Sequence, residues 1–473
     1  MDSVILSGPS GCKIRRKYPF PSFNQNLPED CSTSFYNNDP ALRNNELNGV
    51  EDEEIDPYLI WRRNAPFLYD AVSLYNLDWP SLVVEFMTDT FKIKNGSVTQ
   101  RLLLGTHTSG SDTEFAMVAE LKSNVYTMKE CLNTCENFNQ FKAVPSSSSV
   151  SSNTNSASQG ILDIKAKIVH EGEINRISQV PGAHFLFVTQ SNNGTLYLFD
   201  YSKHPSNPRD LKVSIPQMVL QGGHSSEGYG LAWNSTNKLV SCASDGTIAL
   251  WDLNSKPHST TNGLSGVLDG IGTISPISTY NTTHTSHNSD DNVGLNDIEF
   301  INDNVVLIAS DDTNVHLMDL RTNSTNSTSS SNSTNSNTKF SIGSSVNCLS
   351  LNKFDNNYFV CGCDNGKISL FDTRMGKHLL VIDHHKDSVN QIEFNSSCCG
   401  LFATCSNDSS VCIFDLACKG DELRFVHQGH KDQVNDISWT KLDYYQSAHL
   451  GFTIASVSQD NLLQCFTPNY FSL

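Results

Sequence analysis

The sequence predicts an all-β fold: a seven-bladed β-propeller with one N-terminal α-helix docked on its side. Three observations carry the prediction. Short strands that close on an aspartate recur along the chain, each follows a tight turn, and one stretch, residues 51–82, breaks the pattern with helical spacing.

The closing segments are LYLFD (196–200), IALWD (248–252), VHLMD (315–319), ISLFD (368–372) and VCIFD (411–415). Each alternates apolar with polar or small residues, the period of a half-buried strand. The turns before them, SNNGT, SDGT, DDTN, CDNGK and SNDSS, are rich in Gly, Asn and Asp, which accept positive φ or bond the turn backbone. Upstream lie the apolar runs FLFVTQ, KLVSCAS, VVLIAS, YFVCGC and LFATCS, with GYGLAWN, LNDIEFI, VNCLSLN, VNQIEFN and VNDISWT as further strands. The last two closing aspartates, 372 and 415, are 43 residues apart, near the period of about 40–45 residues of a WD40 blade. Longer intervals hold Ser/Thr/Asn-rich inserts such as RTNSTNSTSSSNSTNSNTK, too poor in apolar residues to fold, and loops are expected near 145–160, 255–292 and 321–339.

An irregular first blade over about 80–145 (PSLVVEF, RLLLGTHTSG, FAMVAEL) and a last one ending SVSQDNLLQCF (456–466) bring the count to seven. Seven four-stranded blades close a ring without an open edge. Histidines at the starts of units, in VHEGE (169–173), GGH (222–224), DHH (383–385) and QGH (428–430), are expected to join a turn Asp and a strand Ser in a buried hydrogen-bonded set.

Composition narrows the function. The 473 residues are 38% hydrophobic and contain no run near the ~20 apolar residues that cross a bilayer. The N-terminus lacks a long apolar core, so neither secretion nor membrane insertion is expected. The 14 cysteines show no repeated C-x2-C, as expected for reduced thiols of an intracellular chain. A net charge of −18 favours basic partners and disfavours nucleic acid. The opening VILSGPSGCK suggests a phosphate loop, but Lys13 follows Cys12 where a glycine is needed, and Ile14 stands where the metal-binding hydroxyl belongs. No Ser/His/Asp set, metal-ligand cluster or supported carboxylate pair stands out. The chain is expected not to be an enzyme, with no catalytic residue, metal or cofactor.

Residues 51–78 are expected to be the N-terminal helix, after a disordered tail over 1–50 and before a propeller over 79–473. Tyr58, Trp61, Ala65, Leu68, Val72 and Tyr75 recur at three and four residues, and Phe67, Ala71 and Leu74 form a second apolar strip. The acidic run 51–54 suits a helix start, and Pro66 is expected to bend the backbone. The first stripe would bury against the ring, leaving the second for a partner.

WRRNAPFLYDAVSLYNLDWPSL, followed by LLLGTHTSG, VHEGEINR, FDYSKHPSNP and GGHSSEGYGLAWN, resembles the histone-binding WD-repeat family. Its members include the retinoblastoma-associated histone chaperones, the small subunit of chromatin assembly factor and the accessory subunit of type B histone acetyltransferase. The resemblance covers about 51–466. It implies binding of histones H3 and H4 at two places. Phe67 and Leu68 would line a groove for an H4 helix, with Asp421 and Glu422 as its acids. His107, Glu173 and Glu227 would line the face that takes the H3 N-terminus, whose α-amine, Arg and Lys suit carboxylates. The family's long acidic insertion in blade six shrinks here to ACKGDELRF, and Asn296 and Ser345 stand where the family carries acids, so a less acidic H3 face is expected.

The resemblance thus implies a non-catalytic H3–H4 escort in nucleus and cytoplasm, with no nucleic acid or membrane bound directly. Its partners beyond histones would be a catalytic acetyltransferase subunit or the larger assembly-factor subunits. GTHTSG and the DEEID leader stand nearer to the type B acetyltransferase subunit. The alternative is a general WD40 scaffold, such as a ubiquitin-ligase substrate receptor, in which the helix merely caps the ring.

Overall fold

The computed structural model describes residues 56–88, 92–94, 97–124, 144–145, 161–208, 215–256, 271–281, 293–321, 338–441 and 452–469. The expected tail over 1–50, the acidic run 51–54 and most of the predicted inserts lie outside them. The chain falls into two compact units, Met1–Ile60 and Trp61–Leu473. Of the first, 56–60 are described and begin helix α1, Pro57–Leu68. Asp56 Oδ1 accepts the Tyr58 amide at 2.9 Å, the bond of an N-cap, and Pro57 sits first in the helix, where no amide is needed.

The second unit is the propeller, seven sheets of four strands or more. Blade one is Val84–Phe86, Ser97–Gly105, Phe115–Asn124 and Ile161–Val169; blade two is Ile174–Gln179, Leu186–Ser191, Leu196–Asp200 and Met218–Leu220. Blade three is Gly230–Trp233, Lys238–Cys242, Thr247–Asp252 and Ser278–Asn281; blade four is Leu295–Asn302, Val305–Ser310, Asn314–Asp319 and Thr338–Ser341. Blade five is Val346–Leu351, Tyr358–Cys363, Lys367–Asp372 and His378–Asp383; blade six is Val389–Phe394, Leu401–Ser406, Val411–Asp415 and Leu423–His427. Blade seven is Val434–Trp439, Ile454–Ser458 and Leu462–Pro468, completed by Tyr69–Asn76 from the other end of the chain.

That last strand corrects the expected helix over 51–78. Helix α1 stops at Leu68, two residues past Pro66, and Tyr69–Asn76 pairs antiparallel with Leu462–Pro468, Val72 facing Phe466. The β-branched and aromatic residues of YDAVSLYN suit a strand, and strand pairing across the ring closure outweighs the helical spacing. Val72, Leu74 and Tyr75 are core residues of the sheet, so no second apolar helical strip exists there. Blade one is also longer than expected. It ends at Val169, while 144–145 pair parallel with Tyr69–Asn76. Within the predicted loop 255–292, Ser278–Asn281 supplies the outer strand of blade three, and Gly272–Ile274 adds a parallel strand to blade two.

The closing motif has a packing cause. The aromatic before each final Asp faces an aromatic on the previous strand: Phe187 opposite Phe199, Phe359 opposite Phe371, Phe402 opposite Phe414. Two of these pairs stack, with centroids 5.3 Å apart at 9° and 5.2 Å apart at 20°. Cross-strand aromatic pairs of this kind stabilise a sheet beyond their buried area. Neighbouring blades are then stapled by side chains of their first strands. Asn296, Asn347, Asn390 and Asn435 each sit at a β-bulge and donate Nδ2 to a carbonyl of the next blade, at 3.0, 3.1, 2.8 and 2.8 Å. Lower in the ring, Asp297, Asp436, Glu85 and Glu393 accept the next blade's amides at Leu349, Val84, Gln179 and Trp439.

The histidine sets form as expected in blades six and seven. His385 Nδ1 lies 3.0 Å from Asp408 and Nε2 2.7 Å from Thr404 Oγ1; His430 Nδ1 lies 3.3 Å from Asp460 and Nε2 2.8 Å from Ser456 Oγ. Burial pushes the Asp408 and Asp460 carboxyls up, but the histidine bonds more than reverse this and hold both below their ordinary value. In blade three His224 bonds Thr247 and Ser241, and in blade two His170 bonds Thr189. All described cysteines are free thiols.

Candidate functional site

Strand direction decides which residues share a face. In every blade the first strand begins, and the turn from second to third strand lies, at one end of the ring. Glu173 precedes the first strand of blade two, Glu227 lies just before that of blade three, and His107 lies in the connection after Ser97–Gly105. The topology therefore gathers the three predicted H3-face residues on one rim.

Their surroundings are built but unfinished. His107 Nδ1 lies 3.8 Å from Glu173 Oε2, beyond hydrogen-bond reach, and is a buried atom without a hydrogen-bond partner. Two residues past Glu173, Asn175 is a bulge asparagine like those of the staples, yet its Nδ2 has no partner. Gln190, opposite Arg176, donates to Cys242 O at 3.0 Å while its Oε1 is unpaired. Gly228 allows this close approach, since a side chain there would collide with the Gln190 amide and Cys242 O. Buried polar atoms without partners are uncommon in native structures and call for an explanation such as a ligand or water. Beside them, Tyr229, 39% exposed, donates its hydroxyl to Glu227 Oε2 at 3.1 Å. Burial and the Glu227 charge push that phenol up to about 12, which keeps it a neutral donor.

Sequence reasoning missed one carboxylate here. Asn296 and Ser345 imply a less acidic face when read by themselves. Both instead donate to Asp311 Oδ1, at 2.7 and 2.6 Å, and Asp311 is exposed in the turn of blade four on the same rim. The charge missing at two positions is supplied by a third between them. The DDTN turn held the signal.

The helix side is a separate site. Trp61 and Ala65 are buried, whereas Phe67 is 70% exposed and Leu68 half-buried. Trp61 Nε1 donates to Tyr69 OH at 2.7 Å, and that hydroxyl lies 2.7 Å from His427 Nδ1. Tyr69 packs edge-on against Phe425, centroids 5.2 Å apart. Asp421 and Glu422 lie in the turn that opens the strand carrying Phe425 and His427. The predicted groove residues thus converge through Tyr69, two residues after Phe67. Among the described residues no group of three or more His, Cys, Asp or Glu is placed to hold a metal ion, and no helix is long and apolar enough to cross a membrane.

Residues 56–124, containing α1, the closing strand and the inner strands of blade one, match a family model that describes the histone-binding protein RBBP4 and its counterpart in the CAF1 complex. The chain belongs to this RBBP4-like WD-repeat family. Residues 216–252 match the WD domain, G-beta repeat, and 275–469 a model of the N-terminal domain of nucleolar protein 10-like proteins. Histone acetyltransferase type B subunit 2 of Mycosarcoma maydis is 34% identical over 234 residues, 48% of this chain and 52% of that protein. The chain thus spans about half the length of this curated relative.

Proposed function

We propose that this chain is a non-catalytic histone H3–H4 binding subunit of a chromatin complex, the type B acetyltransferase first and the chromatin assembly factor next. The observation that carries the reading is the rim of Glu173, Glu227 and Asp311 around buried, unpartnered polar atoms of His107, Asn175 and Gln190. A free α-amine with nearby Arg and Lys offers the donors this rim lacks, through the strongest class of hydrogen bond. The helix groove at Phe67 and Leu68 takes the H4 helix. By holding tail and helix at two sites, the protein presents histones to an enzyme or assembly factor and shields them from nucleic acid. The relative's printed name and the family model support this reading. A helix that only capped the ring would bury Phe67, so its exposure argues against a plain scaffold. The protein would work in nucleus and cytoplasm, which a fluorescent fusion at native level checks.

Calorimetric titration of the full chain with an H3 N-terminal peptide and, separately, an H4 first-helix peptide tests the proposal. Both bind. Glu227→Ala weakens the H3 peptide at least about tenfold and spares H4, while Phe67→Asp does the reverse. Failure of both peptides to bind at low salt would sink the reading.

A further inference from the structure

The turn opening the last strand of blade six holds a charge pair that alters the helix groove. Arg424 is the bulge residue between Leu423 and Phe425, and its side chain is only 4% exposed against 76% for Asp421. Its Nη1 meets Asp421 Oδ2 at 3.2 Å, and its Nη2 donates to the Asp421 carbonyl. One guanidinium thus clamps both side chain and backbone of the same residue. Glu422 is also engaged, Oε1 accepting the Gly420 amide at 2.7 Å. Over CKGDELR, Lys419 and Arg424 match Asp421 and Glu422 in number, so the turn carries no net charge.

We infer that Arg424 sets the specificity of the groove: by holding Asp421, it leaves the groove to take its helix through apolar contact at Phe67 rather than through charge. The inference rests on the reading that this groove binds the H4 helix. A ligand cation approaching Asp421 meets a dipole instead of a lone carboxylate, because the opposite charge is held a hydrogen bond away by a buried, immobile side chain. The pair adds little to stability, being half in solvent; its effect is on the field a ligand meets. Phe67 remains as a large exposed apolar surface, and attraction of that kind is not screened by salt, whereas exposed charge pairs are.

The test is calorimetric titration of the full chain with the H4 first-helix peptide and with a version whose Lys and Arg are replaced by Gln, at about 50 and about 300 mM salt. Both peptides bind within about threefold of each other, and salt shifts either by less than about threefold. Asp421→Asn changes nothing, Phe67→Asp abolishes binding, and Arg424→Gln tightens the native peptide at low salt by freeing Asp421. Circular dichroism confirms that Arg424→Gln is folded; if it is not, Asp421→Asn decides. A steep salt dependence that Asp421→Asn removes would overturn the inference and leave the histone reading standing. No binding of the native peptide at low salt would overturn the reading of the groove itself.

Discussion

Tyr69 ties the helix to the ring through one hydroxyl. It accepts from Trp61 Nε1 and meets His427 Nδ1, and His427 in turn stacks on Phe466 with centroids 3.9 Å apart. Burial pushes the Tyr69 phenol well up and the His427 imidazole well down, so both stay neutral and Tyr69 is the donor to Nδ1. Tyr69→Phe keeps the packing but strands two buried polar atoms, at a cost of about 2 kcal/mol. Urea unfolding measures that loss, and H4-peptide affinity falls while H3-peptide affinity holds; an unchanged midpoint would show that the hydroxyl holds nothing. At this scale the sequence was legible where a motif pins a residue to a strand end, as for Glu173 and Glu227. Asp311 and Arg424 were not, because each acts through a partner chosen by the fold: Asp311 through residues of two blades, Arg424 through a bulge that buries its side chain.

The boundary between α1 and the closing strand shows why elements are harder to read than repeats. Blades two to seven announced themselves because each strand contacts neighbours nearby in sequence, so alternation and turn chemistry agree. Tyr69–Asn76 pairs instead with Leu462–Pro468, at the far end of the chain. Both its faces are covered, and its burial does not alternate cleanly, which let Val72 and Tyr75 pass for a helical stripe. The structure makes this strand the clasp of the ring. Val72→Lys, opposite Phe466, places a charge in the seam and is expected to lower stability by more than about 4 kcal/mol, whereas exposed Asn76→Lys in the same strand stays within about 0.5 kcal/mol. Thermal unfolding of the two variants distinguishes a clasp from a strand that merely decorates the edge, for which the two would behave alike.

For the whole molecule, the carboxylates of the central channel and the buried histidines pull the stability–pH curve in opposite directions. Burial pushes Glu85 up to about 7, against the opposing pull of Lys441, and Asp297 and Asp436 up to about 6, against Arg176. These groups bind protons more tightly folded than unfolded. Their contribution is therefore complete below the unfolded carboxylate value and is lost as pH rises through 6 and 7. His170 and His224 are pushed by burial down to about 4, so the unfolded chain takes up their protons first and stability is lost as pH falls from 6.5 toward 4. From pH 8 to about 6.5 only the carboxylate effect acts, and the protein gains stability on acidification. Below that the two oppose each other, until Asp408, Asp460 and Asp245, held low by their hydrogen bonds, begin to protonate and the fold weakens. The maximum is expected on the acid side of neutrality, and urea midpoints across pH 4–8 locate it. Glu85→Gln keeps an acceptor for the Gln179 amide but removes the highest of the titrations, so it flattens the curve between 6.5 and 8. If the slope in that window survives the substitution, the protons are taken up elsewhere in the ring.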